Sequence, residues 1–183
     1  MIGNSIAGFL GTGVAASTSS FESIASASGT GSSGTITFSS IPSTYTHLQV
    51  RFNAIGTTSA RIYMRFNGDT GSNYNTHCLI GDGSSAFATN YAQSQMTIAQ
   101  DGYGISTSYP NVGVVDVLDY LSTSKNKTIK VLTGMDKNAT FGEVGLYSGL
   151  WRSTTAVDSI TVRLDAGNFN TSSTVALYGI KGA

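Results

Sequence analysis

The residues with the most recognisable chemical spacing are Gly29 to Gly34, GTGSSG, which match the G-x-G-x-x-G of a loop that cradles a dinucleotide pyrophosphate. Such a loop works where a strand precedes it and a helix follows, because the first amides of the helix point at the phosphate. Here the Ala/Ser-rich SIASAS comes before and the strand-like TITFSS after, and the place of the acidic ribose ligand is taken by Ala54. The match reads as chance in a Gly/Ser-dense segment, and the loop as a flexible joint into the first strand.

Other constellations are weaker. His47 and His77 are the only histidines, and His47 falls on the polar face of a strand pattern, where a solvated imidazole is the default rather than a ligand or base. Asp116 and Asp119 lie three apart on one strand pattern and so point to opposite faces, which fails the cross-cleft geometry of a glycosidase pair. The stretch FNGDTGSNYNTH offers oxygen ligands from Asn67, Asp69, Asn73 and Asn75, with Tyr74 beside them. A single carboxylate is few for calcium, and Asn, Asp and Gly are the ordinary residues of turns, so turn chemistry is the favoured role. Trp151, Tyr147, Tyr103, Tyr109 and Tyr91 carry faces able to stack on sugars, against the plainer reading of core or interface packing. The serine-hydrolase elbow, the P-loop and the zinc-protease motif are absent. No catalytic residue, metal or cofactor is assigned, and the chain reads as a non-enzyme.

The elements that would position these residues are strands. THLQVRFNA alternates Leu48, Val50, Phe52 and Ala54 with His47, Gln49, Arg51 and Asn53, the pattern of a half-buried strand. ARIYMRFNGD follows with Ile62, Met64 and Phe66 in phase, and Gly56 between the two runs predicts a hairpin. Residues 68–110 read as a long decorated loop in which only Cys78 to Ile80 and Met96 to Ala99 look strand-like. Regular patterns resume in VGVVDVLDYL, KTIKVLTGM, GEVGLYSGLW, DSITVRLDA and STVALYGIK. The first of these is apolar on both faces, as expected for a strand covered on both sides or covered by a neighbouring subunit. The expectation is an all-β, jelly-roll-like antiparallel β-sandwich of eight or nine strands over residues 34–183, with an up-and-down barrel or an immunoglobulin-like sandwich as alternatives. Residues 1–33 read as a flexible N-terminal arm with scattered apolar anchors, among them Ile2, Ile6, Phe9 and Leu10.

Composition agrees. Ser and Thr make up roughly a quarter of the chain, there are 22 Gly, and only Glu22 and Glu143 represent glutamate, a mixture that favours strands and turns over helices. Ten basic and ten acidic residues cancel, so no broad field attracts nucleic acid or an anionic membrane. Cys78 is the only cysteine, which excludes an intramolecular disulfide framework. The glycine-interrupted opening, with no basic start, does not read as an export signal, and no apolar run is long enough for a membrane helix. A soluble protein is expected.

The blocks GTITFSSIPSTYTHLQVRF, RFNGDTGSNYNTH, DVLDYLSTSKNKTIKVLTG and SGLWRSTTAVDSITVRLDAGNF, closing on STVALYGIK, occur in this order across about residues 21 to 181. Together the chain resembles a group of structural proteins from tailed-bacteriophage virions. The resemblance implies a β-sandwich module that decorates or cements a capsid, or alternatively serves in a tail fibre or baseplate that recognises a host glycan. It implies as partners the major capsid protein or other virion proteins and copies of itself, in a trimer or hexamer, and a place on the virion, at the capsid surface before the tail. Surface contacts would involve the arm anchors together with Trp151, Tyr147, Asn67, Asp69, Asn73 and Tyr74.

Overall fold

The computed structural model describes residues 20–100, 105–138 and 141–182. Its strands in chain order are β1 (Phe21–Ser28), β2 (Thr35–Phe38), β3 (His47–Ala54), β4 (Ile62–Phe66), β5 (Tyr74–Gly81), β6 (Ala86–Gln93), β7 (Met96–Ala99), β8 (Asn111–Leu118), β9 (Lys127–Asp136), β10 (Gly142–Trp151), β11 (Ile160–Leu164) and β12 (Thr174–Ile180). They form an antiparallel β-sandwich of two unequal sheets. The large sheet runs β1-β12-β3-β8-β9-β10-β5-β6 and the small one β2-β11-β4-β7, and the chain crosses between them repeatedly. One hydrophobic core fills the space between, with Leu48, Val50, Val115, Val131 and Leu177 from the large sheet meeting Ile62, Met64, Phe66, Ile98 and Val162 from the small one.

Alternation is what makes this packing available: on each strand one set of side chains faces the opposite sheet and the next faces outward. Glycines let particular neighbours approach. A Cβ on Gly113 would lie 2.2 Å from the Phe52 ring, its cross-strand partner, and one on Gly149 would lie 2.6 Å from Ile129 and 3.0 Å from the sulfur of Met96 on β7. Trp151 packs edge-on against Phe66, with centroids 5.6 Å apart, and parallel to Tyr74 at 6.3 Å.

The structure differs from the sequence reading in four places. The hairpin expected about Gly56 does not form, because β3 pairs with β12 and β8 in the large sheet while β4 pairs with β11 and β7 in the small one, so the chain changes sheets at that turn. The boundary of the arm at residue 33 is too late, because Phe21–Ser28 pairs with β12 as the edge strand of the large sheet. The joint at 29–34 is held by backbone bonds: Gly29 N donates to Ser173 O at 2.9 Å, Gly31 N to Phe169 O at 2.8 Å, and Phe169 N to Ser33 O at 2.9 Å. A strand therefore does precede GTGSSG, but another strand follows it, and two of its amides are committed to the 169–173 loop. Finally, the segment 68–110 contains β5 and its hairpin partner β6 as well as β7, and the strands among the described residues number twelve rather than eight or nine. β6 escaped notice because its outward residues Ala86, Ala88 and Ala92 blur the contrast on which alternation depends.

Candidate interaction face

The outer face of the large sheet carries a feature unusual for a sheet surface. Leu79, Val112, Leu132, Val144 and Leu146 are all exposed, Leu132 to 54% and Val144 to 60%. The register assembles them. Leu79 of β5 stands opposite Leu146 of β10, Leu146 opposite Leu132 of β9, and Leu132 opposite Val114 of β8. Two residues further along each strand, Gly81 stands opposite Val144, Val144 opposite Gly134, and Gly134 opposite Val112. The first row is almost entirely branched aliphatic; in the second, glycines alternate with valines. A groove of ≈ 480 Å³ follows the notch at Gly134, walled by Val112, Val114, Leu132 and Val144.

A polar string borders the apolar rows on the opposite side from the glycines. Arg51 Nε donates to Gln49 Oε1 at 2.8 Å, Gln49 Nε2 to Asp116 Oδ1 at 2.8 Å, and Lys130 Nζ lies 3.3 Å from Asp116 Oδ2. The Arg51 guanidinium also sits over the rings of Phe21 and Tyr178, 5.0 and 5.1 Å from their centroids. An apolar centre with a polar border is the anatomy of a protein–protein contact. The two-sided apolarity of VGVVDVLDYL is resolved by this face: Val115 and Val117 enter the core, while Val112 and Leu118 stay at the surface.

The FNGDTGSNYNTH stretch is a self-contained turn. Asn67 and Gly68 both have positive φ, at 51° and 64°, and Asp69 N donates to Phe66 O at 2.9 Å, as in the Asn-Gly turn of a tight hairpin. The Asn67 side chain ties down the 156–159 loop, donating to Ala156 O at 2.8 Å and accepting from Asp158 N at 3.0 Å. Asp69 accepts from Trp151 Nε1 at 2.7 Å, Asn73 Nδ2 at 2.9 Å and Gly71 N at 2.7 Å. The indole bond is the chief reason its carboxyl lies below the usual range. The structure thus brings Asn67, Asp69, Asn73, Tyr74 and Trp151 together, with their polar groups bonded to one another and to the backbone.

Of the rings considered for sugar stacking, Trp151 and Tyr147 are buried and their faces are covered by the core, so the stacking role does not fit them; Tyr74, named as a surface contact, is buried as well. Burial pushes the Tyr74 phenol up to about 12, and its oxygen accepts from Phe66 N at 3.3 Å. Tyr91 and Tyr109 are half-buried, and Tyr103 lies outside the described residues, as do Ile2, Ile6, Phe9 and Leu10. His47 is tied into its surroundings, its Nδ1 accepting from Asp119 N at 3.0 Å.

Two buried ionisable groups were missed by sequence reasoning. Lys127 is fully buried and its Nζ donates to Ser122 O at 2.6 Å and Lys125 O at 3.0 Å, closing the loop before β9. Glu143 is 5% exposed, with no hydrogen-bond partner for either carboxylate oxygen among the described residues, and burial pushes its carboxyl up to about 8. Its phase on β10 was the available signal, since Glu143 falls in step with Tyr147 and Trp151. Among the described residues, no group of three or more His, Cys, Asp or Glu is placed to hold a metal ion, and no helix is long and apolar enough to cross a membrane. No family model, no curated protein and no solved structure matches the chain.

Proposed function

We propose that the chain is a non-enzymatic structural protein of a tailed-bacteriophage virion, a capsid decoration or cement protein that acts by burying sheet surface against other virion proteins and copies of itself. The observation that carries the assembly role is the outer face of the large sheet, where Leu79, Leu132, Val144 and Leu146 stand exposed side by side. Contiguous apolar surface of this kind on a folded domain marks a place where another surface docks. The virion setting rests on the ordered sequence blocks that resemble phage structural proteins. In this reading the major capsid protein is the principal partner, residues 1–19 with Ile2, Ile6, Phe9 and Leu10 supply the attachment, and copies assemble as a trimer or hexamer. Near-zero net charge suits close packing of many copies, because it removes long-range repulsion between them.

The test is immunogold labelling of intact virions with an antibody raised to the folded domain. Dense label over the head is the expected result. Label confined to the tail tip would replace this reading by the fibre or baseplate alternative with a host glycan as target, and virions without label would overturn both. A chain lacking residues 1–19 keeps β1 and the whole sandwich, and is expected to lose attachment while unfolding at the same temperature.

A further inference from the structure

We infer that the outer face of the large sheet is a two-fold contact with a second copy of this chain, built on the outward side of β9. This deepens the assembly reading above by naming the partner and the register, and of the two assemblies named there it selects the hexamer, in which two-fold contacts join two sets of three copies. The outward residues of β9 that follow Thr128 are Lys130, Leu132, Gly134 and Asp136, which in sequence read cation, large, none, anion. When two identical faces meet, the two-fold axis lies in the plane between them, and residue i of one copy meets j of the other while j meets i. With the axis across the strands between the Leu132 and Gly134 rows, Leu132 of each copy enters the notch at Gly134 of the other. Lys130 of each then stands opposite Asp136 of the other.

The neighbouring strands repeat the pattern. On β5, Leu79 meets Gly81 of the second copy; on β10, Leu146 meets Val144; on β8, Val114 meets Val112. Every large residue faces a smaller or equal one, and no like charges are brought together on these strands. Of the charges that border the patch, Lys130 and Asp116 are already paired within each copy, 3.3 Å apart. The whole sheet face, eight strands about 4.8 Å apart and about four outward rows roughly 6.8 Å apart, spans on the order of 1,000 Å² per copy, which bounds the contact from above and leaves room for the roughly 800 Å² per partner of a standard stable interface. Aligned packing of two twisted sheets at about −30° keeps the central rows in contact while the corners diverge.

The experiment is the mass of the full chain in solution, by sedimentation at a concentration on the order of 50 µM, where a standard-size interface is well populated. The wild type is expected to contain an even number of copies. Gly134→Leu fills the notch without disturbing the monomer, because the nearest atom to a Cβ there is the Glu143 carbonyl oxygen at 3.8 Å. It should halve the mass. The double variant Leu132→Ala, Gly134→Leu moves the large residue to the other row and should restore the wild-type mass, which a partner of any other kind would not produce. Hydroxyl-radical footprinting of the wild type, concentrated and diluted, should show Leu132 and Leu146 protected only when concentrated, a readout that needs no variant to fold. A monomeric wild type, an assembly that survives Gly134→Leu, or a folded double variant that stays at half mass would each overturn the contact. None of these results alters where gold label falls on a virion, so failure here is distinct from failure of the virion reading.

Discussion

Raising the pH should destabilise this protein through Glu143, by an amount that can be worked out in advance. The carboxyl lies inside the end of β10, and both of its oxygens are buried without a partner among the described residues. The groups acting on it are few: Lys137 draws it toward ionisation, and the Tyr147 phenol is itself pushed up by burial first and by the Glu143 charge second. Burial dominates and holds the folded carboxyl near 8 against an ordinary 4.5. Above the ordinary value the unfolded chain releases this proton while the folded chain keeps it. Stability therefore falls as pH rises between these two values and levels off above the upper one. The full shift at about 1.4 kcal/mol per pKa unit sets an upper bound of roughly 5 kcal/mol. Solvent screening of the charged form reduces the expected loss to about 2–3 kcal/mol.

Urea unfolding of the wild type and of Glu143→Gln, measured from about pH 5 to about pH 9, isolates this effect, since every other titrating group is common to both proteins. The Gln variant should gain about 2–3 kcal/mol relative to the wild type across the range, with most of the gain below about pH 8. Parallel curves, with a difference that changes by less than about 0.5 kcal/mol, would show that the Glu143 carboxyl is solvated or paired and would refute the argument.

Gly113→Ala drives a Cβ into the Phe52 ring on the adjacent strand and should cost about 2–3 kcal/mol in urea unfolding. Combining it with Phe52→Leu should recover part of that loss, whereas two strictly additive penalties would show that the two positions do not share the space. Lys127→Met strips the carbonyls of Ser122 and Lys125 of their donor and should cost about 1–3 kcal/mol, with faster amide exchange concentrated at residues 122–125. The same substitution at the exposed Lys130 should change monomer stability by less than about 0.5 kcal/mol, since its pair with Asp116 lies at the surface.

Much of the architecture was legible because alternation is a local property of the chain. In THLQVRFNA, apolar and polar residues separate cleanly, and β3 buries Leu48, Val50, Phe52 and Ala54 as the pattern predicts. The pattern failed where both phases are apolar or both are small. In GEVGLYSGLW, Val144, Leu146 and Leu150 outweigh Gly145 and Gly149 in hydrophobicity, yet the glycine phase faces inward with Tyr147 and Trp151. The space decides: Met96 and Ile129 already occupy the room a side chain at position 149 would need. In FESIASAS, the strand exists because β12 offers an open edge, a partner more than 140 residues away that no window around β1 contains.

The sequence by itself determined the all-β class, the main strands of the core and the turn at Asn67-Gly68, because each follows from the period or the backbone preference of neighbouring residues. Tertiary structure alone decided which phase of β10 faces solvent, that Glu143 is buried, and that Leu79, Leu146, Leu132 and Val114 form one row. Those residues are separated along the chain by stretches of irregular length. Only the inter-strand hydrogen bonds, fixed by the packing of the whole sandwich, set the register that places them side by side.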